Sequence, residues 1–273
     1  MLAFVLDSRD HSLKGPDDVE RYLPRLPLLG VVPILSNGKK WTPKLLPDSN
    51  GAWPRVEYDG TAEHYRTIRT NILLTAFDRQ LSSLLITSPG ENEGKTTVAV
   101  NLAIAMAQLE GQQIILIDAD LRKPAARQFF GLQRTDAKGL AHFLMGRASF
   151  EEVIYPTEIS NLWVIPHGLI PSNPSELLHS RRMGDLLRRL TEDGFQVILD
   201  APPVLPVADS MILAARAEGV VFVVSSGETS REACRISINR ITNCGAKLIG
   251  VVLQKAHLKE SPSYVRQYHT VGG

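Results

Sequence analysis

The chain has 273 residues, room for one large or two small domains, and at 44% hydrophobic and 22% charged it has the make-up of an ordinary globular protein. A formal net charge of +1 gives no global field pointing to nucleic acid or to strongly acidic partners. Cys234 and Cys244 form no CxxC motif and read as thiols in a reducing compartment; nothing approaches about 18 uninterrupted apolar residues, and the first residues are too short and uncharged for a signal peptide, so the expectation is a soluble protein or a soluble piece of a larger one.

Residues 1–60 differ from the rest. They hold two of the three tryptophans and several Pro, Gly-Pro and Asn-Gly breaks. Asp17, Asp18 and Glu20 follow Pro16, which predicts a helix start. Leu28 to Pro33 reads as one short strand, and residues 35–60 read as loop. The spacing then predicts a helix from about Thr61 to Phe77, with Tyr65, Ile68, Ile72, Leu73 and Ala76 as its apolar stripe. Glu63, Arg66 and Arg69 step along another side. On spacing alone they read as a solvated face with one Glu–Arg pair worth ~0.2–0.5 kcal/mol.

Leu84 to Ile86 reads as a buried strand, and Val98, Leu102, Ala103 and Met106 recur at helical spacing beyond it. Between them lie Ser88, Pro89, Gly90, Glu91, Asn92, Glu93, Gly94, Lys95, Thr96 and Thr97. Strand, loop, Gly-Lys-Thr and helix is the layout of a phosphate-binding P-loop. Gly94 lets backbone approach phosphate oxygens, and the loop N–H groups with the helix N-terminus face the anion. Lys95 is placed to reach β- and γ-phosphates, and the Thr96 hydroxyl to ligate Mg²⁺. The full pattern wants Gly where Pro89 stands, so Gly90 comes one place late.

Ile114 to Asp118 is a second apolar strand, ending in Asp118 with Asp120 just beyond. Open α/β sheets put ligands at such strand ends. Carboxylates there hold Mg²⁺ through water or accept a hydroxyl proton; the same two residues also read as turn and capping aspartates. Residues 139–147 suggest a short helix and Leu162 to Ile165 a strand. A helix starts at Pro174 and carries Arg181, Arg182, Arg188 and Arg189, a face that is either solvated or open to phosphate or acidic partners. Gln196 to Asp200 is a third apolar strand ending in Asp, in the place of the Mg²⁺-holding Walker B carboxylate. Val220 to Ser225 and Leu248 to Leu253 are further strands, preceded by helices from about Val207 and Ser230. The alternation predicts an α/β fold of the P-loop NTPase kind, its mostly parallel central sheet covered by helices on both faces. Residues 256–273 lose periodicity and carry Tyr264 and Tyr268.

The strand-end motifs together resemble a known family. Ile114 to Arg122 reads as apolar-Asp-x-Asp-x-Arg, a Walker A′ motif, and Val197 to Pro203 as apolar-Asp-x-Pro-Pro. With SPGENEGKTT they resemble the bacterial tyrosine kinases (BY-kinases) that regulate capsular and exopolysaccharide polymerisation and export. Glu63, Arg66 and Arg69 fit the family's ExxRxxR helix, GLIPSNPSELL resembles its GxxPPNPxELL segment, and the first residues resemble the stretch after the second membrane helix of fused members.

The resemblance implies ATP and Mg²⁺ as cofactors. Lys95, Asp118 and Asp120 would be catalytic, Asp118 as base toward the tyrosine hydroxyl. ATP would meet Gly90 to Thr97 and Gln254, which stands where an Asn facing adenine is common. Thr96, Asp120 and Asp200 would hold the metal. Glu63, Arg66 and Arg69 would form contacts in a ring of subunits, and Tyr264 and Tyr268 would be phosphorylated by a neighbour. Two tail tyrosines are fewer than the family usually carries. The implied organisation is an N-terminal juxtamembrane-like segment over 1–60 packing on the core, a kinase domain over 61–258 and a flexible tail over 259–273. The implied setting is the cytoplasmic face of a membrane, beside a polysaccharide co-polymerase part and a cognate tyrosine phosphatase, with no nucleic acid. Two other readings stand beside it: a ParA/MinD-like ATPase, a group with an early P-loop Lys that residues 86–93 lack, and a non-catalytic nucleotide-binding partner module.

Overall fold

The computed structural model describes residues 11–34, 62–75, 81–124 and 137–256. They form one eight-stranded sheet. The strands are β1 (Leu28–Pro33), β2 (Ser83–Thr87), β3 (Gln113–Asp118), β4 (Tyr155–Pro156), β5 (Leu162–Ile165), β6 (Phe195–Asp200), β7 (Gly219–Ser225) and β8 (Leu248–Ala256), in the spatial order β1-β8-β7-β2-β6-β3-β5-β4. Every pairing is parallel except β4 with β5.

Eight helices accompany them among the described residues: α1 (Pro16–Tyr22), α2 (Ala62–Thr75), α3 (Lys95–Ala107), α4 (Leu140–Leu144), α5 (Pro174–His179), α6 (Arg181–Glu192), α7 (Asp209–Ala214) and α8 (Arg231–Asn243). Side chains alternate across a strand, so the sheet has two apolar faces. Leu84, Ile86, Ile114, Leu116, Ile198, Val221 and Val223 pack with Tyr65, Ile68 and Ile72 of α2 and with Val98, Leu102 and Met106 of α3. Leu85, Ile115, Ile117, Val197, Leu199 and Phe222 pack on the other side with α4 to α8 and with Val19 of α1. Burial on both faces explains why the central strands are continuous apolar runs. Each fully buried Leu, Ile or Phe there is worth about 1.5–3 kcal/mol of transfer free energy.

Some details depart from the sequence reading. The helix expected from Pro174 is two helices, broken at Ser180, whose extended backbone (φ −58°, ψ 157°) ends α5 and caps α6. Leu73 leaves the predicted stripe and stands 43% exposed. The arginine face is largely paired: Arg188 with Asp185 and Glu192, Arg189 with Glu151, and Arg182 with the Phe143 carbonyl oxygen. Residues before 60 supply β1, which pairs with β8, while Leu13 donates to the Thr229 carbonyl. Among the described residues no helix is long and apolar enough to cross a membrane.

Candidate active site

The loop between β2 and α3 spans residues 88–94. Gly94 lies at φ 89° and Asn92 at φ 62°, the left-handed region, so the chain curls before Lys95 begins α3. A side chain on Gly94 would also meet Gln254, whose Cγ lies 3.3 Å from the position of an added Cβ. The loop is tied down from several directions. Ser88 donates to the Gly90 carbonyl at 2.7 Å, Thr87 to the Pro202 carbonyl at 2.8 Å, and Lys255 at the tip of β8 to the Asn92 carbonyl at 2.9 Å. Glu91 meets Lys123 in solvent at 2.8 Å, whereas Glu93 turns inward and is buried.

Lys95 is buried, and its Nζ lies 3.0 Å from Asp120 Oδ2. Burial works against its ammonium, but Asp200, Asp120 and Asp118 outweigh that and hold its pKa above the ordinary lysine range. β3 and β6 are neighbours, and their register sets Asp118 directly beside Asp200. Both carboxylates are buried, and burial raises both pKa values, opposed at Asp118 by His167 and at Asp200 by Lys95. The Thr96 side chain faces Asp200 and works against the rise in its pKa, but neither oxygen of Asp200, nor Oδ1 of Asp118, meets a partner at full hydrogen-bond geometry among the described residues. Asp120 is better provided: its Oδ1 accepts from the backbone N–H of Lys123 at 3.0 Å and of Arg122 at 3.3 Å.

Unpartnered carboxylate oxygens in a buried hollow are costly unless something cationic completes them. A hydroxyl at Thr96 and oxygens at Asp120 and Asp200 are hard donors of the kind Mg²⁺ takes. Among the described residues no group of three or more His, Cys, Asp or Glu side chains is placed to hold a metal ion by itself. Mg²⁺ does not ask for one, since it keeps waters and shares phosphate oxygens. The residues therefore fit the ion.

Comparison with known proteins adds to this geometry. A family model described as an AAA domain matches residues 91–248. The tyrosine-protein kinase YwqD of Bacillus subtilis is 41% identical over 203 residues, covering 74% of this chain and 84% of that protein. The chain belongs to the bacterial tyrosine-protein kinases. Among solved structures, the kinase domain of the Escherichia coli tyrosine kinase ETK superposes with a TM-score of 0.77 at 26% identity, over 93% of this chain and 98% of that one. The cell division ATPase MinD of Pyrococcus furiosus is also 26% identical but reaches a TM-score of only 0.51 over 63% of this chain and 70% of its own. The ParA/MinD-like reading thus has the sheet in common and less of the chain.

Lys95, Asp118, Asp120 and Asp200 of this tyrosine kinase come together at the ends of β3 and β6, and the loop carrying Gly90 to Gly94 leads from β2 into the helix that Lys95, Thr96 and Thr97 begin. Gln254 reaches the same loop from β8, but its amide Nε2 donates to the Tyr65 hydroxyl at 3.2 Å. Glu63, Arg66 and Arg69 lie elsewhere on α2. Arg66 reaches Gln108 and Arg69 the Ala105 carbonyl, both at the far end of α3, about 15 Å along the helix from the P-loop. Tyr264 and Tyr268 fall outside the described residues.

Three partners escaped the sequence reading. His167 places Nδ1 3.0 Å from Asp118 Oδ2; it follows strand β5, so the strand-end rule that found the aspartates would have found it too. Asp209 on α7 is fully buried and takes Arg122 of the A′ motif at 2.8 and 3.1 Å, and Ser175 of α5 at 2.5 Å. A first-turn Asp carries no signal of that kind. Nor does Lys255, which lies beyond the apolar run ending at Leu253 but within β8.

Proposed function

We propose that this tyrosine kinase uses ATP with Mg²⁺ to phosphorylate tyrosines of its own chain, Tyr264 and Tyr268 at the C-terminal tail, one subunit acting on the next. The observation that carries the reading is the juxtaposition of Lys95 with Asp118, Asp120 and Asp200 beside the P-loop. Thr96, Asp120 and Asp200 would hold the Mg²⁺, which when bound offsets charge on the transferring phosphoryl group. The P-loop amides and the Lys95 ammonium grip the β- and γ-phosphates. Tyrosine hydroxyls have a reference pKa of about 10 and are protonated near neutrality. Asp118 Oδ1, buried and unpartnered, is available to take that proton as the tyrosine oxygen bonds to the γ-phosphorus and the bond to the ADP oxygen breaks. Adenine would lie toward Gln254.

Glu63, Arg66 and Arg69 would join subunits in a ring, and added phosphate on the tail would repel the acidic site and loosen that ring. The biological setting follows from the same resemblance: regulation of capsular or exopolysaccharide polymerisation and export at the cytoplasmic face of a membrane, with a co-polymerase part and a phosphatase as partners. N-terminal residues 1–60 would be the part nearest the membrane, 61–258 the kinase and 259–273 the substrate tail.

Incubation of the full chain with ATP and Mg²⁺, read by anti-phosphotyrosine blotting and mass spectrometry, tests this. Label on Tyr264 and Tyr268 is expected, and Lys95→Met is expected to abolish it. Nucleotide binding without phosphotyrosine would instead favour a non-catalytic partner module, and normal labelling by Lys95→Met would remove the role given to that lysine.

A further inference from the structure

Asp118 is held by more than its strand. β5 lies beside β3 in parallel register, with Ile117 opposite Ile165. Two residues further on, His167 is buried and points its Nδ1 at Asp118 Oδ2, 3.0 Å away. A carboxylate oxygen accepts, so the imidazole proton is assigned to Nδ1. The other oxygen, Oδ1, is left buried and unpartnered.

The backbone carrying His167 is itself fixed on both sides. Leu140 donates to the Pro166 carbonyl at 2.7 Å and Ala141 to the His167 carbonyl at 2.9 Å, so the start of α4 is clamped on the tip of β5. Gly139 permits that approach: an added Cβ would sit 2.1 Å from the Pro166 oxygen. Gly168, next along, turns away at φ 80°. A rigid backbone and a buried ring are what a precise orienting contact requires, because misplacement of a reacting group by about 1 Å costs roughly a hundredfold in rate.

We infer that His167 is a positioning residue of the phosphotransfer site: by donating from Nδ1 to Asp118 Oδ2 it fixes the carboxylate so that Oδ1 faces the acceptor tyrosine hydroxyl. This rests on the reading of Asp118 as the base. The imidazole touches neither nucleotide nor tyrosine in this assignment; it acts through Asp118. Loss of the contact should therefore lower kcat and leave the KM for ATP in place.

The test is a matched pair of amides in the full chain. In His167→Asn the side-chain N–H₂ occupies roughly the place of Nδ1; in His167→Gln it moves outward, toward the place of Nε2. Initial rates of phosphotyrosine formation are measured against ATP concentration, with binding of a fluorescent ADP analogue alongside. His167→Gln and His167→Ala are expected to lose about 10- to 100-fold in kcat with unchanged ADP binding, and His167→Asn to recover most of it. In an Asp118→Asn background, His167→Ala should cost nothing further. Equal rates for the Asn and Gln variants, or a loss that appears in ADP binding, overturn the role of His167. Should Asp118→Asn be inactive while His167→Gln matches the parent, the base assignment stands and the positioning role falls. Should Asp118→Asn keep full activity, both fall together.

Discussion

Two glutamates of the P-loop have opposite fates. Glu91 lies in solvent against Lys123, while Glu93 is buried and its Oε2 has no hydrogen-bond partner. Burial pushes the Glu93 carboxyl up to about 7, with Thr229, the Gly90 backbone and Lys255 pulling the other way. The ordinary value is 4.5. Between those two values the folded chain holds a proton that the unfolded chain releases, so raising pH across that window favours unfolding. The penalty grows from pH 4.5 and is complete above pH 7, with an upper bound on the order of 3 kcal/mol. Glu93→Gln, neutral at every pH, should melt with the parent near pH 4.5 and above it at pH 8. A parent and variant that keep the same difference in melting temperature from pH 4.5 to pH 8 would show that Glu93 is not held neutral. Nothing in the spacing of SPGENEGKTT separates these two side chains, because which of them points inward is decided by the left-handed turn at Asn92 and by what β7 and β8 place behind the loop.

At the scale of elements, α2 illustrates how a sequence motif divides its labour. Glu63 and Arg66 form an exposed pair at 2.8 Å, their side chains 66% and 43% exposed. Arg69 is half-buried and donates from Nη1 to the Ala105 carbonyl at 2.6 Å, in the last turn of α3, where carbonyls lack helical partners. A cation there is worth about 1 kcal/mol. Arg69→Ala should lower the melting temperature by roughly 2–4 °C. Replacing Glu63 and Arg66 together should leave it within about 1 °C and, if the helix joins subunits, reduce the oligomer mass by light scattering. An unchanged mass would remove the interface, and an unchanged melting temperature for Arg69→Ala would remove the cap. The stripe Tyr65, Ile68 and Ile72 was legible because a period of 3.6 residues is written in the chain; the bond to Ala105 was not, because it joins residues 36 apart through the packing of two helices. The break at Ser180 was likewise hidden, since a serine between two helical runs reads equally well inside one.

The whole molecule sets its strand tips against its own stability. The apolar runs of β2, β3, β6, β7 and β8 and the aspartates ending β3 and β6 were readable directly, because a buried parallel strand needs the one and a strand-end site the other. What they cost was not readable, because it depends on how near β3 and β6 bring Asp118 and Asp200. Three aspartates share that end of the sheet with one ammonium, and burial keeps the pKa of Asp200 raised although Lys95 and the Thr96 side chain work against it. Removing one negative charge should relieve the free protein. Asp200→Asn without nucleotide is therefore expected to melt a few degrees above the parent, on the order of 1 kcal/mol, with Lys95 still held by Asp120 at 3.0 Å. Nucleotide reverses the order. At about a hundred times its dissociation constant, ADP with Mg²⁺ adds roughly 2.7 kcal/mol to the parent, or about 5–10 °C. Chelating the metal with EDTA should remove part of that gain from the parent and little from Asp200→Asn. The two effects have one physical origin, a carboxylate left incomplete for an ion to complete. An Asp200→Asn protein that melts below the parent without nucleotide, yet gains as much from Mg²⁺, would mean that Asp200 already has its partner within the fold.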